Sequence, residues 1–191
     1  MTDDADARRP YWARGRWDRG AALPPGAELA QLRRGAGREP GSVPGMWPFY
    51  TCLTGTGAVT AALYAEHVAL TLFGLHQQST DRLVHRHGNS VGAAALALRR
   101  SGRYSEDAVE RRMAASAAAS TLASLAVHLR GLVQQLSVAK VTLDYDRLVR
   151  DLVRWQTPAG AGSVRRRWGG DFYASPPKGS TAPSDRTAEP T

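Results

Sequence analysis

The stretch STLASLAVHLRGLVQQL, residues 120–136, decides the fold. Leu122, Leu125, Leu129, Leu132, Val133 and Leu136 recur at intervals of three and four. That spacing gathers six branched side chains on one face of an α-helix. A helix with such a stripe must bury it against other elements. Working outward, the neighbouring segments also read as helices, and none shows the period-two alternation of a strand. The chain is therefore expected to be all-α, a compact helical bundle.

Just downstream, LDYDRLVRDLVRW (143–155) has Asp144 as its N-cap, with Leu143 and Leu148 placed for a hydrophobic staple. At ~100° per residue, Tyr145, Leu148, Val149, Leu152, Val153 and Trp155 cover one side. Arg147, Arg150 and Arg154 fall within about 60° on the other, flanked by Asp146 and Asp151. Pro158 and Gly160 are expected to break this helix, leaving SVRRRWGGDFY (163–173) as a last short one. Upstream, Ser105 caps a helix beginning SEDAVERRM, with its acids at the favourable end. SVGAAALALRRSG (90–102) is a short helix stopped at Gly102, and STDRLVHRHGNS (79–90) is a polar loop. Residues 58–77 are apolar almost all round, as in a central, buried helix.

GAELAQLRRGAG (26–37) makes a short helix with Leu29 and Leu32 inward and Arg33 and Arg34 outward. The Pro/Gly-rich REPGSVPGMWPFY (38–50) then leads to a Trp/Phe/Tyr cluster. Its residues stand too close together for an open stacking face, so they read as a core plug. Residues 1–25 lack periodicity and are expected to form a mobile arm. Residues 26–173 form the folded domain, and the Pro/Ser/Thr/Gly-rich stretch 174–191 is expected to be a disordered tail.

The 191 residues carry a net charge of +8, and the ends mask a larger imbalance. Residues 8–173 hold 23 basic against 12 acidic side chains, a net +11. Such an excess points to an acidic partner, nucleic acid above all. The bland alternative is compositional, since 23 of the 25 bases are Arg. One cysteine, Cys52, excludes an internal disulfide and a cysteine-based zinc site. The acidic N-terminus has no apolar signal region, and Glu66 and His67 interrupt the longest apolar run, so neither export nor a membrane span is expected. The reading is cytoplasmic.

A catalytic constellation is hard to find. Glu66 and His67 point about 100° apart on their helix, and His67 and His76, nine apart, lie on opposite sides. Buried, hydrogen-bonded histidines are the expectation. His85 and His87 lie in a loop beside Arg82 and Arg86, with no acid cluster in the sequence to complete a metal site, so a phosphate-contacting or merely solvated loop is expected. No phosphate-binding loop or nucleophile-elbow motif occurs. Neither catalytic nor metal-ligating residues are assigned, and no cofactor is implied.

What remains is arginine on five successive elements: Arg99, Arg100 and Arg103; Arg111 and Arg112; Arg130; Arg147, Arg150 and Arg154; Arg165, Arg166 and Arg167. These are the candidate nucleic-acid-binding residues. Aromatics are not interleaved with them, so a base-stacking ladder is not indicated. Arginines on phosphates give affinity and salt dependence without reading sequence.

Several of these segments together resemble the CasB-type small subunit of the type I-E CRISPR Cascade complex. They are LAQLRRGAGREPGSVPGMWPFY, EHVALTLFGLHQQS, RRSGR followed by ERRM, LDYDRLVRDLVRWQ, and VRRRWGGDFY. The resemblance spans about Glu28 to Tyr173. It implies two small helical lobes and no catalysis. It also implies assembly with a large subunit, backbone RNA-binding subunits, a second copy of the chain, crRNA and target DNA. The implied role is to hold the guide–target duplex and steady the displaced strand of an R-loop, an exchange near enough to energetic balance for backbone contacts to tip it. Arg103, Arg111, Arg112 and Arg130 fall on the family's positive surface. Arg165 to Arg167 correspond loosely, across the TPAGAG insert, and Arg147, Arg150 and Arg154 come from the helical wheel. Two alternatives stand beside this reading. Residues 90–113 also read as helix, Gly-containing turn and basic helix, as in a helix-turn-helix DNA-binding regulator. The chain could equally be a structural adaptor whose arginines meet acidic protein surfaces.

Overall fold

A computed structural model describes residues 9–14, 17, 22–78 and 80–174. Among these are seven α-helices: α1 Gly26–Arg34, α2 Ala61–His76, α3 Val91–Arg100, α4 Glu106–Ala118, α5 Leu122–Ala139, α6 Tyr145–Trp155 and α7 Pro158–Phe172. Two 3₁₀ segments, Tyr11–Ala13 and Pro44–Phe49, join them. No strand occurs among the described residues; a single bridge pairs His85 with Leu143.

Six of the seven helices start on a side chain that takes up an otherwise unpaired amide. Thr60, Ser90, Ser105, Thr121, Asp144 and Thr157 each accept from the residue three positions on. Helix α6 does end at Trp155, ahead of Pro158 and Gly160, but the last cap corrects the expected start of the next helix at residue 163. Proline has no amide to lose at a first helical position, so Thr157 and Pro158 together start α7 five residues early. The TPAGAG insert is the N-terminal turn of that helix.

The helices fall into two groups. In one, α2 packs against α1, α5 and α6; in the other, α3 packs against α4, α5 and α7. Helix α5 touches both central helices, α6 packs on α2 and α7, and one continuous apolar cluster runs through both groups. All six stripe residues of α5 lie in it, as do Leu70 and Phe73 of α2.

Part of the stretch expected to be a mobile arm is core. Tyr11, Trp12 and Trp17 are buried, and Trp12 Nε1 donates to Asp146 Oδ1 at 2.7 Å. Tyr11 lies edge-on to Phe49 and Phe73. Three large rings outweigh the absence of any periodic pattern, since each buries far more surface than an aliphatic side chain. Residues 1–8, 15–16, 18–21 and 175–191, the rest of that arm and nearly all of the expected tail, lie outside the described residues.

Candidate nucleic-acid interface

The twelve arginines divide into two classes. Five are engaged within the molecule. Arg99 pairs with Glu110 at 3.0 Å and lies over the Phe172 ring at 4.7 Å. Arg112 lies across α5, its Nη1 in the space that a Cβ on Gly131 would take. Arg147 reaches Asp171 at 3.0 Å, and the same Oδ2 accepts from Ser90 at 2.5 Å. Arg165 covers Trp155 at 4.8 Å and donates to the carbonyls of Ala117 and Ala119, beyond the reach of α4's own ladder. Arg167 pairs with Asp151.

Arg100, Arg103, Arg111, Arg130, Arg150, Arg154 and Arg166 are exposed. Within the described residues, Arg100 alone of these makes a side-chain hydrogen bond, a long one of 3.4 Å to the Ala174 carbonyl. On α6 the wheel is thus rotated from its expected position. Val149 and Val153 are only half-buried, while Asp151 is 2% exposed and accepts from Trp168 Nε1 at 2.7 Å. Arg147 turns inward with it, and Arg150 and Arg154 remain outside.

The acids behave differently. Glu28 accepts from Tyr11, Glu66 from Thr51 and Cys52, Asp146 from Trp12, and Asp144, Asp151 and Asp171 as already described. With Glu110, which accepts from Arg99, seven of the twelve acids in residues 8–173 are spent on internal hydrogen bonds.

The buried histidines occupy both ring nitrogens. His67 bonds Tyr50 at 2.6 Å and the Gly35 carbonyl at 3.0 Å, and burial lowers its pKa. His76 bonds Tyr145 and the Val141 carbonyl, and burial takes its pKa down to about 4. A neutral ring with its proton on Nε2 fits both arrangements.

The tertiary structure supplies acids beside the loop histidines, which the sequence did not suggest. Backbone bonds from Leu143 to Val84 and from Arg86 to Leu143 fasten that loop along the start of α6. His85, His87, Asp144 and Asp146 then converge, their ligand atoms within 4.8 Å of one another. Burial pushes Asp144 up, but the Arg147 and Gly88 amides and the nearby His85 and His87 outweigh it and hold its carboxyl below the usual range. Such a set could surround a cation. His85 Nδ1, however, accepts the Tyr145 amide at 3.1 Å, which leaves the ring proton on Nε2, facing Asp146. A metal-bound histidine normally donates through its second nitrogen, the reverse of this arrangement. The cluster therefore reads as the fastening of loop to helix.

Sequence reasoning also passed over a groove between α1, α2 and α5. Arg33, Arg38 and Arg130 share its rim, and its volume is about 280 Å³. Arg33 and Arg38 belong to the α1 end and the turn after it; nothing in their local pattern set them apart.

Fold and surface together define an all-α protein whose surface carries more arginine than acid. A family model for the CRISPR-associated protein Cse2 matches residues 28–173. The chain belongs to that family, whose members are Cascade-type CRISPR subunits. It is similar to CasB from Thermobifida fusca, with 31% identity over 89% of this chain and 93% of that one, TM-score 0.64. A CRISPR-associated protein of the Cse2 family from Thermus thermophilus is 25% identical over 77% of this chain and 85% of that one, TM-score 0.60. A structure of CasB from Thermus thermophilus is 26% identical with the same coverage, TM-score 0.57. No curated protein sequence matches significantly. Among the described residues no helix is long and apolar enough to cross a membrane.

Proposed function

We propose that this chain is a non-catalytic small subunit of a crRNA-guided type I-E Cascade complex, acting in antiviral defence in the cytoplasm. Its exposed arginines hold the sugar–phosphate backbone of the target strand and the displaced strand, and so steady the R-loop. Its partners are the large subunit, the repeated RNA-binding subunits, a second copy of itself, crRNA and target DNA. Family membership favours this over a helix-turn-helix regulator.

The observation that carries the reading is the asymmetry of the charges. Seven acids satisfy internal donors, while Arg103, Arg111, Arg130, Arg150, Arg154 and Arg166 face outward and outnumber the exposed Glu39, Asp81, Glu106 and Asp107. A field of one sign attracts a polyanion. Guanidinium pairs with phosphate in a bidentate fork, so arginine suits this work better than lysine. Bound counterions leave the nucleic acid on contact, and affinity should fall steeply with salt.

The test is carried out in the assembled complex, by replacing Arg150, Arg154 and Arg166 together with Ala. Retention of target DNA should weaken, and the slope of log affinity against log salt should flatten by about two to three. An unchanged slope would make this face merely solvated. Nuclease treatment that leaves every subunit contact intact, together with unchanged DNA retention, would favour the adaptor reading.

A further inference from the structure

The groove on the rim shared by Arg33, Arg38 and Arg130 has a floor unlike a phosphate track. Leu72 and its α2 neighbours line it from one side and Val127 of α5 from the other. Val127 is 70% exposed, an apolar side chain left uncovered at the mouth. Its deeper polar groups are already used: Thr71 Oγ1 donates to the Val68 carbonyl, and both nitrogens of His67 are bonded. None of the lining residues is acidic. The floor therefore suits something flat and weakly polar, and the rim something anionic.

We infer that this groove seats one unstacked nucleobase of a single-stranded nucleic acid, with the phosphates beside it held by Arg38 and Arg130. The inference rests on the nucleic-acid reading above and assigns a base contact to a surface otherwise read as backbone-only. Single strands are recognised by splaying bases onto aromatic rings and guanidinium planes. Tyr64 lines the groove and supplies a ring, and Arg33, tethered to the Gly74 carbonyl at 3.3 Å, supplies a guanidinium held in place. At about 280 Å³ the cavity is just below the range of drug-sized ligands, which fits one ring system better than a larger group. An acidic helix would be the rival occupant. Helix-in-groove binding uses a row of pockets for residues at i, i+3, i+4 and i+7. This groove is one pocket, and a second cavity, beside Ser137 and Lys140, lies at the opposite end of α5.

The test uses the full chain and two fluorescent single-stranded DNAs of equal length, one with ordinary bases and one with abasic sugars throughout. Binding is measured by anisotropy over a range of salt. The ordinary strand should bind on the order of tenfold more tightly, with similar salt slopes for both. Ala126→Phe, which fills the groove without changing charge, should bring the two strands to parity. Ala123→Leu, at an exposed position at the mouth, gives the same readout without entering the core. Equal affinity of both strands for the unaltered chain, with steep salt dependence, would overturn the base pocket and leave the backbone reading standing. Binding of neither strand even at low salt would remove the nucleic-acid reading and the pocket with it. A Glu/Leu amphipathic peptide that binds more tightly than DNA and is lost in Ala126→Phe would make the groove a helix-docking site and overturn the inference.

Discussion

Asp151 shows how one residue can reverse the reading of a helix. On the wheel of α6 it stands between the arginines and the apolar side, and it looks like a surface carboxylate. In the fold it is buried, between Arg167 and the Trp168 indole of α7. Removing a carboxylate from such a site strands both donors, one of them a charge. Asp151→Ala should cost about 3 kcal/mol in urea unfolding, discounted for the partial exposure of Arg167. A loss below about 1 kcal/mol would mean that α6 and α7 are held by packing alone. His76 makes a second prediction at this scale. Its folded pKa of about 4 is below the unfolded value of 6.5, so the unfolded chain binds the proton first as pH falls. Its stabilising contribution is whole above pH 6.5, declines between there and about 4, and is gone below. The loss should reach about 3 kcal/mol. His76→Gln should flatten the pH dependence of unfolding in that window; an identical profile would show that the ring is not held neutral.

At the scale of the element, α6 carries two kinds of arginine on what looked like one stripe. Arg147 closes an ion pair with Asp171 that ties α6 to the end of α7, whereas Arg150 and Arg154 point away. The two kinds should separate experimentally. Arg147→Ala should cost stability by up to about 1 kcal/mol, since the pair is partly exposed, and leave the salt slope of DNA retention unchanged. Arg150→Ala with Arg154→Ala should do the opposite, leaving unfolding within about 0.5 kcal/mol and flattening the slope by about two. If Arg147→Ala flattens the slope as much as either outward arginine does, the division fails. The six side-chain caps explain why helix starts were legible, because a cap is local chemistry between residues three apart. Asp144 and Ser105 were readable for that reason. Thr157 was hidden by the Pro158 beside it, which looks like a breaker until it is seen as a first helical residue.

At the scale of the molecule, the N-terminal rings tie the start of the described chain to α2 and α6. Trp12 contacts Phe73, Tyr145 and Asp146, bridging residues 134 apart in sequence. Trp12→Ala should cost about 3–5 kcal/mol, measured by chemical denaturation, as expected for a large ring removed from a close-packed core. A change below about 1 kcal/mol would return this segment to the status of an arm. The same long-range packing gathers the α1 turn, α2 and α5 around the groove, and sets His85 and His87 against Asp144 and Asp146.

The amino-acid sequence determined the helices, most of their apolar faces, the Ser105 and Asp144 caps and the excess of arginine. Each of these rests on spacing within a few residues or on simple composition, and needs no knowledge of what lies opposite. The segments that carry the family resemblance were legible in the same way. Only the tertiary structure decided which arginines are spent and which are offered, because that depends on the carboxylate, carbonyl or ring each one meets, often across more than a dozen residues. It alone folded Tyr11, Trp12 and Trp17 into the core, since three aromatic rings without a period have nothing to announce them but the surface they can bury.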